Sequence, residues 1–143
     1  MRKILLPIAI LILVFSGCVS PSKGRVATVR KSIVNDAKKY IGTPYKYGGT
    51  TASGFDCSGF TQFIYKRNGY EIPRTVSDMQ ATFKKIKNPG IGDIVTFNDP
   101  KHVGILIGGN KFIHASTSRG VVIDKLSDSW YKKRLTGYYT IFY

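Results

Sequence analysis

Asp56-Cys57-Ser58-Gly59-Phe60 stands where a glycine-rich stretch gives way to helical spacing. A cysteine at a helix start meets unpaired backbone N–H groups and the positive end of the helix dipole, and both favour thiolate, the nucleophilic form. The competing reading is a small buried hydrophobe, common for a free cysteine. Gly, Asp and Ser as neighbours suit that reading poorly. The chain has only two histidines, His102 and His114, and each lies six residues from Gly108. Gly108-Gly109-Asn110 is a tight-turn sequence, so an antiparallel hairpin centred there brings both imidazoles to one end as neighbours. A thiolate mechanism needs an imidazole as base and a third group to orient it. Two adjacent histidines supply both. Taken singly, each is an ordinary partly exposed strand histidine; the pairing argues against that. A zinc site is the weaker alternative, because Cys57 has no partner at ligand spacing.

These side chains need elements to hold them. Val29, Ile33, Val34, Ala37, Tyr40 and Ile41 follow helical spacing, and Gly42 ends the pattern. The run from Gly42 to Phe55 contains Gly42, Pro44, Gly48, Gly49 and Gly54, so a shaped loop is expected there. A second helix is predicted from Cys57 to Arg67, stopped by Asn68-Gly69. A short third helix is predicted over Val76–Phe83. Strand patterns then follow at Asp93–Phe97, His102–Ile107, Lys111–His114, Val121–Ile123 and Gly137–Phe142, and Ser127–Lys133 adds a helical turn before the last of them. Helices first and an antiparallel sheet of about five strands second make an α+β fold. At 143 residues the chain holds one domain, large enough for a core without disulfides.

The first twenty residues carry an address. Arg2 and Lys3 precede an apolar run from Ile4 to Phe15, broken only by Pro7, and Ser16-Gly17-Cys18 follows. That is the layout of a secretory signal. A transmembrane anchor is the competing reading, but spanning takes about 20 apolar residues and this run is shorter. Phe15-Ser16-Gly17-Cys18 resembles a bacterial lipoprotein signal, which implies residues 1–17 as leader and a lipidated Cys18 as the mature N-terminus. Several acyl chains on one cysteine would anchor the protein firmly. Residue 19 is Val and not the Asp that favours inner-membrane retention in enteric-type bacteria. The expected location is the outer membrane facing the periplasm in a Gram-negative source, and otherwise the outer face of the cell membrane. Residues 18–28 read as the lipidated start and a flexible polar tether, and 29–143 as the domain. With Cys18 assigned to lipid, Cys57 has no disulfide partner, since the chain has two cysteines.

The formal charge is +14, which implies an anionic partner: nucleic acid, an acidic membrane surface or a wall polymer. Export argues against nucleic acid.

Gly42-Thr43-Pro44-Tyr45, Tyr47-Gly48-Gly49 and Asp56-Cys57-Ser58-Gly59-Phe60 together resemble the NlpC family of papain-like cell-wall cysteine peptidases. The likeness runs on through Pro73-Arg74-Thr75, Gly92–Phe97, His102-Val103-Gly104-Ile105 and Phe112-Ile113-His114-Ala115-Ser116, in family order. It covers roughly residues 30–143. The resemblance implies a papain-like fold and a peptidoglycan endopeptidase that cuts amide bonds in stem peptides without metal or organic cofactor; a monomer is expected. It implies Cys57 as nucleophile, His102 as general base and His114 as the residue that orients His102. Tyr45 would help the Cys57 backbone N–H hold the oxyanion, or else plug the loop. Tyr47 packs. Asp56 and Ser58 flank the nucleophile and would touch the peptide substrate, with helix capping the other role open to Asp56. Arg74 would bind a substrate carboxylate or serve as solvated surface charge. The alternatives are a wall-binding or adaptor lipoprotein without catalysis, and a cysteine amidase or acyltransferase on another substrate.

Overall fold

The computed structural model describes residues 22–98 and 101–143, so the proposed leader and Cys18 lie outside the described residues. Helix α1 spans Lys23–Lys38. Its buried face is Ile33, Val34 and Ala37, as the spacing predicts. It begins earlier than expected: residues 23–28, read as tether, form its first turns. The Arg25 and Val26 N–H groups donate to the Ser22 carbonyl at 2.9 and 3.2 Å and start the helix there. Two ion-paired contacts fix its position. Arg30 meets Asp93 at 2.8 Å, and Asp36 accepts from Lys39 at 2.8 Å, Arg67 at 3.3 Å and Asn68 at 3.3 Å.

After α1 comes the loop, which contains a minimal hairpin, β1 (Thr50–Thr51) and β2 (Gly54–Phe55). Then follow α2 (Cys57–Arg67), with the bounds expected, and α3 (Val76–Thr82). The rest is strand: β3 (Lys84–Ile86), β4 (Ile94–Phe97), β5 (His102–Gly108), β6 (Lys111–Ser116), β7 (Gly120–Lys125), helix α4 (Ser129–Arg134) and β8 (Leu135–Thr140). The main sheet has six strands in the order β3-β8-β4-β5-β6-β7, each neighbouring pair antiparallel. The α+β expectation holds. The sixth strand is β3, a short Lys-Lys-Ile segment that pairs with β8.

Alternation gives the sheet two buried faces. On the inner face Ile94, Val103, Ile105, Ile113, Ala115 and Val121 pack against Ile33 and Ala37 of α1 and Phe60 and Ile64 of α2. Each large apolar side chain fully buried there stabilises the fold by roughly 1.5–3 kcal/mol. The outer face carries Val95, Phe97, Leu106 and Phe112, covered by Leu126, Tyr131 and Tyr138. His102 and His114 belong to this outer face by the same alternation, two residues from Gly104 and Phe112 respectively.

One contact ties the loop to the far edge of the sheet. The Gly42 N–H donates to the Val121 carbonyl and the Val121 N–H to the Thr43 carbonyl, both at 2.9 Å. The approach is close enough that Gly120 admits no side chain: it has φ +72°, and a Cβ there would lie 2.3 Å from the Thr43 oxygen.

Candidate active site

Cys57 is the first residue of α2, and Asp56 caps that helix by accepting from the Gly59 N–H at 2.7 Å. Asp56 does more than cap. Its other oxygen accepts from the Gly48 N–H at 3.1 Å, and Arg74 grips both oxygens at 3.0 and 2.7 Å. Arg74 also donates to the Ser58 hydroxyl at 2.7 Å. Asp56, Ser58 and Arg74 are therefore one ion-paired cluster beside Cys57. It joins the glycine loop, the helix start and the Pro73-Arg74 segment. Burial works against the Asp56 carboxylate, yet the Arg74 and backbone hydrogen bonds outweigh it and hold its pKa below the ordinary value. The loop is pressed onto the helix: a Cβ at Gly59 would lie 2.1 Å from the Gly49 carbonyl oxygen.

Helix position alone suggests a depressed Cys57 pKa. The structure corrects that. Burial pushes the thiol upward and the Asp56 charge adds to the rise, while the N–H groups of Val103, Ser58 and Cys57 pull against it; the net shift is up. The helix start does supply N–H groups, but a half-buried sulfur next to a carboxylate loses more hydration than they return. Tyr45 is half-buried and bridges to Phe55. Its hydroxyl pKa is raised, chiefly by burial and then by Cys57 and Asp56, so its ring belongs to the surroundings of Cys57. Tyr47 is almost wholly exposed (93%), against the packing role expected of it.

The Val103 N–H that reaches the thiol belongs to β5, one residue after His102. This brings the cysteine of the inner layer to the strand end that carries the first histidine. His102 Nε2 lies 2.7 Å from His114 Nδ1, with the rings edge-on at 90°. The pairing geometry differs from a symmetric hairpin. Gly108 and Gly109 have positive φ, as does Asn110, and the register shifts between Leu106 and Gly108. Ile105 therefore pairs with Ile113, and continuing that register sets Gly104 across from His114 and His102 one diagonal step away. Gly104 is what the diagonal needs: a Cβ there would meet the Phe112 ring at 2.5 Å and the His114 Cβ at 3.2 Å.

The row continues beyond the two histidines. His114 Nε2 lies 2.8 Å from the Asp124 carboxylate on β7, again a diagonal step. Asp124 accepts from Arg119 at 3.0 and 2.6 Å and from the Tyr131 hydroxyl at 2.6 Å. Sequence reading did not find Asp124, Arg119 or Tyr131. The only available signal was that Asp124 falls on the histidine face if β7 alternates and pairs in this register. Burial lowers the pKa of His102 to about 3, with the His114 charge adding and Asp124 opposing. Burial likewise lowers His114, against the pull of Asp124. The Asp124 carboxyl is held well below its ordinary value: burial raises it, and the bonds from Arg119, Tyr131 and His114 more than reverse that. At neutral pH the two rings are uncharged and the carboxylate is ionised.

A cleft of about 480 Å³ opens beside this row, lined by His102, His114, Arg119, Asp124, Trp130 and Tyr131 among others. Among the described residues no group of three or more His, Cys, Asp or Glu side chains is placed to hold a metal ion. A thiol that meets the Val103 N–H, the neutral imidazole of the preceding residue and a cleft lined by that imidazole suit acyl transfer through a covalent intermediate.

A sequence model described as the NlpC/P60 family matches residues 42–140. The chain is 44% identical over 109 residues to the probable peptidoglycan endopeptidase LytE of Bacillus subtilis, covering 73% of this chain and 32% of that protein. It is 38% identical over 116 residues to the murein DD-endopeptidase MepS/murein LD-carboxypeptidase of Escherichia coli, covering 77% of this chain and 62% of that protein. The chain thus spans less than two thirds of either relative's length. Among solved structures, an NlpC/P60 family protein from Bacillus cereus superposes with a TM-score of 0.76 at 30% identity, over 80% of this chain and 40% of that one. The NlpC/p60 domain of the peptidoglycan hydrolase SagA superposes with a TM-score of 0.70 at 33% identity, over 78% and 98%.

Proposed function

Because this chain belongs to the NlpC/P60 family, we propose that it is a cysteine endopeptidase acting on the stem peptides of peptidoglycan. The observation that carries the reading is the thiol of Cys57 set beside the Val103 N–H, next to a histidine already hydrogen-bonded at 2.7 Å to a second. In this mechanism the His102 imidazole takes the thiol proton as sulfur bonds to the amide carbonyl carbon, and the carbonyl π pair moves to oxygen. The Cys57 backbone N–H and the Tyr45 hydroxyl stabilise that oxygen. The oxyanion then re-forms the carbonyl, the C–N bond breaks, and His102 protonates the departing amine. Water, deprotonated by His102, attacks the thioester and releases the acid, restoring the thiol. Burial raises the thiol and lowers the imidazole, so both groups are held toward their neutral forms before substrate arrives.

Asp56 holds Ser58 and Arg74 at the rim of the nucleophile, where the two contact the peptide flanking the cut bond. The names of the relatives, peptidoglycan and murein peptidases, support this substrate class. Another relative, 39% identical over 120 residues, is the gamma-DL-glutamyl hydrolase of Bacillus subtilis, so a γ-glutamyl amide is the second substrate to test.

Action in the cell envelope follows from the same reading. The lipid on Cys18 anchors the domain to a membrane, and replacing Cys18 by Ala moves the protein to the soluble fraction. The function itself is tested by incubating purified protein and its Cys57→Ala variant with peptidoglycan and identifying released fragments by mass spectrometry. Fragments that appear only with Cys57 identify the bond. Equal release by both forms rules out Cys57 as the nucleophile, and no release by either points to a binding lipoprotein.

A further inference from the structure

The hydrogen-bonded row His102–His114–Asp124 has a direction, and the carboxylate sets it. Ionised Asp124 can only accept, and it already receives both arms of Arg119 and the Tyr131 hydroxyl. His114 Nε2, at 2.8 Å from it, must therefore carry a hydrogen. A neutral imidazole has one N–H, so His114 Nδ1 offers a lone pair. His102 Nε2 lies 2.7 Å from that lone pair and must donate to it. This leaves His102 Nδ1 as the one unprotonated ring nitrogen of the row without a partner among the described residues. It is the atom able to take a thiol proton.

The opposite arrangement is a complete chain in itself. His114 Nδ1–H would donate to His102 Nε2, and His102 Nδ1 would carry a hydrogen. That ring could not act as a base. Nothing in the two imidazoles alone prefers one arrangement to the other; the reversed one is disfavoured only because it turns the His114 Nε2 lone pair against a carboxylate. Tyr131 does not rescue it, since its hydroxyl is 2.6 Å from Asp124 and 3.3 Å from His114 Nε2, so its hydrogen goes to the carboxylate.

We propose that Asp124 is a positioning residue that selects the Nε2–H tautomer of both His114 and His102 and so keeps His102 Nδ1 free to act as base, with Arg119 and Tyr131 fixing the carboxylate. The proposal rests on the reading of Cys57 and His102 as the reacting pair. It also assigns the growing positive charge on His102 a path: the cation donates through Nε2 to His114, whose own N–H then strengthens toward Asp124.

The test uses the full chain with ¹⁵N-labelled histidine and long-range ¹H–¹⁵N correlation at neutral pH. Both rings are expected as the Nε2–H tautomer. In Asp124→Asn, whose amide presents either a donor or an acceptor to His114, an Nδ1–H population is expected in at least one ring. Its kcat on peptidoglycan is expected to fall by roughly 10–100-fold, the cost of losing the carboxylate that orients a metal-ligating histidine, with KM within about twofold. A wild-type spectrum with either ring as Nδ1–H overturns the proposal, and so does a variant that keeps its tautomers or its kcat. Should the variant fail to fold, the wild-type spectrum decides alone. That spectrum needs no turnover, so a protein inactive on peptidoglycan would sink the substrate reading, while the tautomers of the two rings would still be decided by the spectrum.

Discussion

His102 and His114 sit buried and uncharged, and acid has to charge them at the expense of the fold. The native pKa of His102 is about 3 and that of His114 is also below the unfolded value of 6.5. Between the two values the unfolded chain binds more protons than the native one, so stability falls as pH drops below about 6.5. Each imidazole contributes a slope approaching about 1.4 kcal/mol per pH unit within its window. Asp124, lowered in the native state, adds loss in the same direction at still lower pH. Urea unfolding at pH 7 and pH 5 is expected to show the drop, and His102→Gln is expected to flatten it. A flat profile for the native chain would mean that the pair is solvated. Tyr45 offers a second test at this scale. Its hydroxyl lies within the electrostatic reach of Cys57, and Tyr45→Phe removes that hydroxyl while keeping the ring. Loss of one oxyanion donor lowers kcat by roughly 10²–10³-fold. Steady-state kinetics with unchanged thermal stability would confirm the role, and an unchanged kcat would make Tyr45 a packing residue.

Helix α2 is the element on which Cys57 depends, and its start is wedged against the glycine loop. Gly59→Ala places a methyl 2.1 Å from the Gly49 carbonyl and 2.8 Å from Asp56 Oδ1. Overpacking of this kind destabilises by roughly 1–3 kcal/mol. A lower urea midpoint is expected together with lost activity, because the same shift moves Cys57. This helix is legible in the sequence to its end residues, since its breakers and apolar spacing agree with its packing. Its neighbours are less so. Residues 23–28 lack apolar periodicity, and the helix there follows from continuity with the buried turn at Ile33 and Val34. Strand β3 is two lysines and an isoleucine, exposed but for Ile86, and only its partner β8 makes it a strand. The direction of the thiol's shift differs from expectation because a helix start is visible in sequence and burial is not. Asp124 is hidden for a related reason. On a strand it reads as a solvent-facing acid until Arg119 and Tyr131 are seen to enclose it.

At the scale of the molecule, 22 basic residues face 8 acidic ones. Several of the acids are already neutralised within the fold, Asp36, Asp56, Asp93 and Asp124 by arginine contacts. The remaining cations are largely on the surface, Lys31, Lys38, Lys84 and Lys132 among them. Attraction of such a surface to an anionic wall is screened over about 10 Å at 0.1 M salt. Binding to intact peptidoglycan is expected to weaken as salt rises, while turnover of a short uncharged peptide substrate stays constant. Pull-down and kinetics at two ionic strengths separate the effects, and equal binding at both would remove electrostatics from substrate capture.

Strand β7 ends the sheet, and its free edge at Val121 is where Gly42 and Thr43 dock. An uncovered edge strand is a template for pairing with another chain. The loop that carries Tyr45 therefore also takes the Val121 backbone groups out of reach of another chain. A change that loosens this contact, such as a side chain at Gly120, would damage catalysis and solubility together. Inactive variants from this stretch would then tend to be lost as aggregates, which makes the loop look more essential to chemistry than it is.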